Sequence, residues 1–120
     1  MALASGAAEA AAANGVTGIT PFTNLHGATP GTTGANELGS TRQATSWTAG
    51  TAAAPNPSNS AGLSYTLAAS TTAGFVGGWS VVTAASGVYS IGFTLSPSVT
   101  TGTSAGTVTV AAGALSIAAS

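Results

Sequence analysis

The sequence predicts an all-β fold: a single β-sandwich of about seven short antiparallel strands, preceded by a short Ala-rich N-terminal helix. Three observations point there. From Val16 onward the chain is written in Thr, Val, Ile and aromatic residues, in short runs broken by Gly and Pro at the spacing of an all-β domain. One run, Gly106-Thr-Val-Thr-Val-Ala, alternates strictly, with Val108 and Val110 on one face and Thr107 and Thr109 on the other. Residues 2–13, by contrast, are nearly all Ala, with Glu9 among them. That is the strongest helix-forming composition available, and Asn14-Gly15 supplies a stop.

The chain therefore divides into a helix or arm over residues 1–15 and a β domain over 16–120. An isolated helix of about a dozen residues is marginal in water, so this one is expected to dock, on its own domain or on a neighbour. The strands are expected at residues 19–25, 43–48, 63–67, 75–82, 88–95, 106–111 and 115–118, which is enough for a sandwich or small barrel. Two loops carry turn chemistry, a long one over residues 28–39 and a proline-stiffened one over 54–60. Strand-like sequence continues on both sides of each, so neither is a domain linker.

Composition narrows function before any motif is considered. The 120 residues carry one basic and two acidic side chains, Arg42, Glu9 and Glu37, so 2% are charged where about a quarter is usual. A single cation cannot neutralise the phosphates of a nucleic acid or attract an anionic membrane surface, so neither is an expected partner. The absence of Cys removes disulfides, thiol catalysis and the common zinc frameworks. Gly, Ser and Thr interrupt every apolar run well short of the roughly 18 residues a membrane helix needs. The N-terminus lacks the basic and apolar regions of a secretory signal. Large apolar residues make up only about a fifth of the chain, so the core must be thin. With almost no charge to keep copies apart, the composition is that of a part of a larger assembly.

The residues offer little to catalysis. His26 is the only histidine and there is no Asp. A Ser–His26–Glu37 triad would lack a Gly-x-Ser-x-Gly nucleophile turn. One His and two Glu are too few for a metal site without backbone oxygens. Pro30-Gly31-Thr-Thr-Gly34 has the look of a phosphate cradle but lacks the lysine and the following helix, so it is expected to be a structured turn. No catalytic residue, cofactor or metal is expected. Glu37 and Arg42, five positions apart in so charge-poor a chain, are expected to pair and fix the return of the long loop. His26, at a strand end, is expected to bond loop backbone through a ring nitrogen. Trp47 and Trp79, with the Phe and Tyr residues, are expected to fill the space between sheets. A carbohydrate-binding platform would instead need several of these rings exposed on one face.

The block from Leu25 and His26 through Pro30, Gly31, Gly34, Asn36 and Glu37, followed by Arg42-Gln43 and Trp47, resembles small structural proteins of tailed bacteriophages. Their recurrent stretch reads approximately LHTADPGTTGANE, then a Gly-rich turn, Arg-Gln or Arg-Lys, and a Trp. Gly77-Gly-Trp79-Ser80, Gly87-Val-Tyr89 and Leu95-Ser96 are similar to later segments of that family, so the resemblance spans most of the chain. It departs at Gly27 and Thr29, where the family commonly has Thr and Asp. The resemblance implies a non-enzymatic virion component, assembled in the host bacterial cytoplasm. On the outer head surface it would be a capsid decoration or cement protein, partnered by the major capsid protein and by copies of itself. A minor tail or tail-fibre protein, or a carbohydrate-binding module, are the alternatives the sequence leaves open.

Overall fold

A computed structural model describes residues 5–84 and 86–118. Within them the chain is an all-β domain of antiparallel strands with one helix at its N-terminal end. The helix α1 (Gly6–Gly18) begins at Ser5, whose side chain accepts a hydrogen bond from the Ala8 amide and so caps the first turn. Its expected beginning at residues 2–4 lies outside the described residues. It does not stop at Asn14-Gly15 but runs on to Gly18. The Asn14 side chain, instead of capping the helix, exchanges two hydrogen bonds with the backbone of Gly50 (Nδ2 to O, 3.1 Å; Gly50 N to Oδ1, 2.8 Å). With Ala10 and Ala13 buried, this clip docks α1 on its own domain.

Eight strands follow: β1 (Phe22–His26), β2 (Gln43–Ala44), β3 (Trp47–Thr48), β4 (Ser58–Asn59), β5 (Leu63–Leu67), β6 (Thr72–Trp79), β7 (Tyr89–Thr100) and β8 (Gly106–Val110). A four-stranded sheet has the order β2-β1-β6-β7, and β3-β4 and β5-β8 form two-stranded sheets. The alternation read in the sequence of β8 places Val108 opposite Tyr65 and Val110 opposite Leu63, and these side chains are buried while Thr107 and Thr109 are exposed. They pack with Leu67 of β5 against Leu25, Ala73 and Val76 of the larger sheet, with Phe93, Leu95 and Val99 of β7 at the margin. This is the sandwich core.

A hydroxyl network crosses that core. Thr23 Oγ1 lies 2.5 Å from the Tyr65 hydroxyl and 2.7 Å from Thr45 Oγ1, all three residues buried. Burial pushes the Tyr65 phenol up to about 12, against the opposing Thr23 hydrogen bond.

Three expectations about strands need correction. The run 43–48 is two strands of two residues, because β2 ends against β1 and the chain then crosses to pair Trp47 with Asn59. The proline-stiffened loop contains that partner, β4. Residues 115–118 make only a single bridge, Ser58 to Ser116, although Leu115 and Ile117 are buried. Asn59 is the reason: its side chain accepts from Leu115 N and donates to the Ala61 and Ala111 carbonyls. The C-terminal segment is held by the Asn59 side chain together with a few backbone hydrogen bonds, Asn59 N to Leu115 O and Ile117 N to Pro57 O among them, and not by an extended ladder.

Candidate functional site

The face of the four-stranded sheet turned away from the sandwich core is covered by the loop between β1 and β2. Registration of β1 on β6 puts Asn24 opposite Gly77, His26 opposite Phe75 and Phe22 opposite Trp79, so the side chains of Asn24, His26 and Trp79 share that face. The loop returns alongside β1 through an antiparallel bridge between His26 and Glu37, with Gly27 N donating to Asn36 O and Leu38 N to Leu25 O, both at 3.0 Å. The turn chemistry read at Pro30-Gly31 takes shape here. Pro30 is buried and its carbonyl accepts from both Gly34 N and Ala35 N. Gly34 has φ +73°, and a Cβ there would fall 2.6 Å from the Trp79 ring, so the position needs Gly on two counts. Asn36 is left-handed at φ 66°, a conformation Asn tolerates better than most residues, and its Nδ2 donates to Thr29 O.

Glu37 and Arg42 meet at the centre of this layer. Arg42 Nε donates to Glu37 Oε2 at 2.6 Å and Nη2 to Oε1 at 2.7 Å, a two-pronged pair. The remaining nitrogen, Nη1, donates to the carbonyls of Val81 (3.0 Å), Thr83 (2.8 Å) and Ser86 (2.8 Å), three acceptors for two hydrogens. The guanidinium carbon sits 3.9 Å from the Trp79 ring centroid, a cation–π contact. Burial alone would raise the Glu37 carboxyl. The hydrogen bonds from Arg42 and Asn24, with the Arg42 charge, outweigh it and hold the group below its ordinary value of 4.5.

His26 is fully buried. Its Nδ1 lies 2.8 Å from the Ala35 carbonyl and its Nε2 accepts from Trp79 Nε1 at 3.4 Å, the two ring planes only 6° apart. Neither nitrogen reaches a Ser, Thr or Glu side chain, so the Ser–His26–Glu37 triad is not assembled. Among the large side chains, Trp79 departs from the expectation. It is buried, but under the loop and beside Tyr89 (5.6 Å, edge-on), not between the sheets. Trp47 does pack against the sandwich core, near-parallel to Phe93 at 6.1 Å, and its indole N–H donates to Thr20 O at 2.8 Å.

Two residues of the layer, Asn24 and Ser40, escape the sequence reading, and a third, Gly77, enters it only as part of the resemblance. Asn24 binds Glu37 Oε2 (2.8 Å) and the Ser40 carbonyl (2.9 Å) and accepts from Ser40 Oγ (2.5 Å). Its signal was available: Asn is depleted in strands, and this one interrupts Phe-Thr-Asn-Leu-His. Ser40 left no such trace. Gly77 has no side chain where a Cβ would run into the His26 ring.

Among the described residues every buried side-chain nitrogen and oxygen has a hydrogen-bond partner, and no three His, Cys, Asp or Glu side chains come together. An open groove of about 450 Å³ beside the loop, between Leu38, Ser40 and Thr41 on one side and Leu67 and Ala68 on the other, has no charged group in its lining. The layer is thus chemically closed, its polar groups spent on one another. Comparison with family models, curated proteins and solved structures gave no match for the chain.

Proposed function

We propose that the chain is a non-enzymatic structural protein of a tailed-phage virion, carried in many copies on the outside of the capsid as a decoration or cement protein. One observation carries the proposal. The residues on which the phage resemblance rests, His26, Pro30, Gly31, Gly34, Asn36, Glu37 and Arg42, lie together in one layer, where the side chains of His26, Asn36, Glu37 and Arg42 spend their hydrogen bonds on the fold itself. A motif used in this way specifies a shape, and a shape is what a virion protein contributes.

The surface supports the same reading. Arg42 binds the carbonyls of the 80–88 hairpin, and that hairpin carries Val81, Val82 and Val88 in the open, the last two 51% and 63% exposed. An apolar tip fixed from below by a buried cation has the form of a protein contact. Strand β7 leaves a long edge of the sheet without charged side chains, the kind of edge that pairs with other chains. All seven aromatic residues are buried or half-buried, which disfavours the carbohydrate-binding alternative, since that needs exposed rings. Cryo-electron microscopy of the particle tests the reading: decoration requires density for this domain at lattice-related positions on the shell, with the 80–88 hairpin or β7 against the major capsid protein or a neighbouring copy. Density at the tail alone would assign the chain to the minor tail or tail-fibre proteins.

A further inference from the structure

The hydrogen-bond partners of His26 fix its protonation state. The Ala35 carbonyl can only accept, so Nδ1 must carry the hydrogen, and the Trp79 indole N–H can only donate, so Nε2 must be bare. A second proton has one place to go, Nε2. There it would point at the indole N–H, donor against donor, in a site from which water is excluded. We infer that His26 is an acid-sensitive latch on the loop layer: protonation at Nε2 breaks the contact with Trp79 and releases the 27–42 loop from the sheet while the sandwich core stays folded.

The charged and titratable groups around the ring set the balance. From the loop, Glu37 favours the imidazolium. Arg42, stacked on the far partner Trp79, opposes it, and Tyr89 of β7 lies tilted against the ring at 6.3 Å as a neutral phenol. Among the described residues no second carboxylate is near to offset the new charge. Desolvation is the largest influence and it lowers the His26 pKa from its ordinary 6.5, with Arg42 acting in the same sense, against the Ala35 hydrogen bond and Glu37. A depressed folded-state pKa means that the contribution of neutral His26 is fully present above 6.5 and is lost as pH falls below it, toward the folded value.

The device is local because the two faces of the sheet are held differently. The loop layer is fastened by His26, Glu37 and Arg42, whereas β5 and β8 contact the opposite face through Leu, Val and Tyr side chains that do not titrate in this range. Release would also loosen Trp79 beneath Arg42, and through Arg42 the 80–88 hairpin.

Nuclear magnetic resonance on the intact chain tests the inference without a variant. At about pH 7 the His26 ring nitrogens should show the Nδ1–H tautomer, and hydrogen exchange at the Gly27 and Leu38 amides, which tie the loop to β1, should be slow. Toward about pH 5, after correction for the intrinsic pH dependence of exchange, protection of these two amides should fall by up to about tenfold for each pH unit below 6.5. The Trp79 indole signal should move with them, and the β5–β8 amides should keep their protection. An Nε2–H tautomer, unchanged protection at Gly27 and Leu38, or parallel loss across β5 and β8 would each overturn it, the last by revealing global unfolding instead of a latch.

Discussion

Arg42 rests on Trp79 with its guanidinium carbon 3.9 Å from the ring centroid, and this contact joins two parts of the chain far apart in sequence. On one side of Arg42 is the loop carboxylate of Glu37. On the other are the backbone carbonyls of the hairpin that follows Trp79. The single basic side chain in the protein therefore links loop, sheet and hairpin at once. Its exposure is 2%, and a buried cation is tolerated only with such a full set of partners.

Removing Glu37 leaves a fully buried guanidinium without its counter-charge, and removing Arg42 leaves a largely buried carboxylate with Asn24 as its remaining partner; breaking a buried pair in this way typically costs about 3–5 kcal/mol. Glu37→Ala and Arg42→Ala should therefore each lower stability by about 3 kcal/mol in urea denaturation. The double variant should be no worse than the poorer single, because both changes remove the same interaction. Simple additivity of the two losses would mean that the pair is not coupled. Arg42→Lys should recover little, since an ammonium cannot fork onto Glu37, reach three carbonyls and stack on Trp79 together.

Two glycines separate close approach from mere backbone freedom. Gly77→Ala would push a methyl group into the buried His26 ring on the neighbouring strand, so a loss of about 1–3 kcal/mol is expected. Gly15→Ala lies inside α1 with nothing within 4 Å of the new carbon and should stabilise by up to about 1 kcal/mol. Thermal melts of the two variants should move in opposite directions.

Acid should act on Glu37 with a defined sign. Its folded-state pKa is depressed, so its contribution is fully present above the ordinary 4.5 and is lost as pH falls through the lower folded value. Between about pH 5 and pH 3 the wild type should lose more stability than Glu37→Gln, in which the carboxylate titration is gone. Because Glu37 also favours the His26 imidazolium, the His26 titration is followed by nuclear magnetic resonance in both proteins and its contribution subtracted from the difference. Equal losses would place Glu37 outside the acid response.

The exposed hairpin gives a test of contact separate from folding. Val82→Asp at a half-exposed site should change stability by no more than about 0.5 kcal/mol. If the hairpin touches the shell, it should reduce the amount of the protein retained on particles. Undiminished retention would move the contact to another surface, with the β7 edge next in line.

The parts of this structure legible in the sequence were those set by local rules. Alternation placed Val108 and Val110 in the core, Ala content placed α1, and scarcity of charge brought Glu37 and Arg42 together. What stayed hidden depends on which strands meet. Trp79 could be read as buried but not as lying under the loop, because the face it takes is fixed by the register of β6 on β1. Asn59 and Asn14 look like turn and cap residues, yet both are staples whose partners lie dozens of positions away. The end of α1 differs from the expectation for that reason, and so does the segment at residues 115–118, which makes a single bridge where a strand is expected.

The proposed place on the capsid surface turns on stoichiometry. Quantitative mass spectrometry of purified particles, with the major capsid protein as internal reference, measures it directly. A decoration protein should be present at a copy number comparable to that of the major capsid protein. A copy number that is a small fraction of it, at the level of tail components, would contradict decoration.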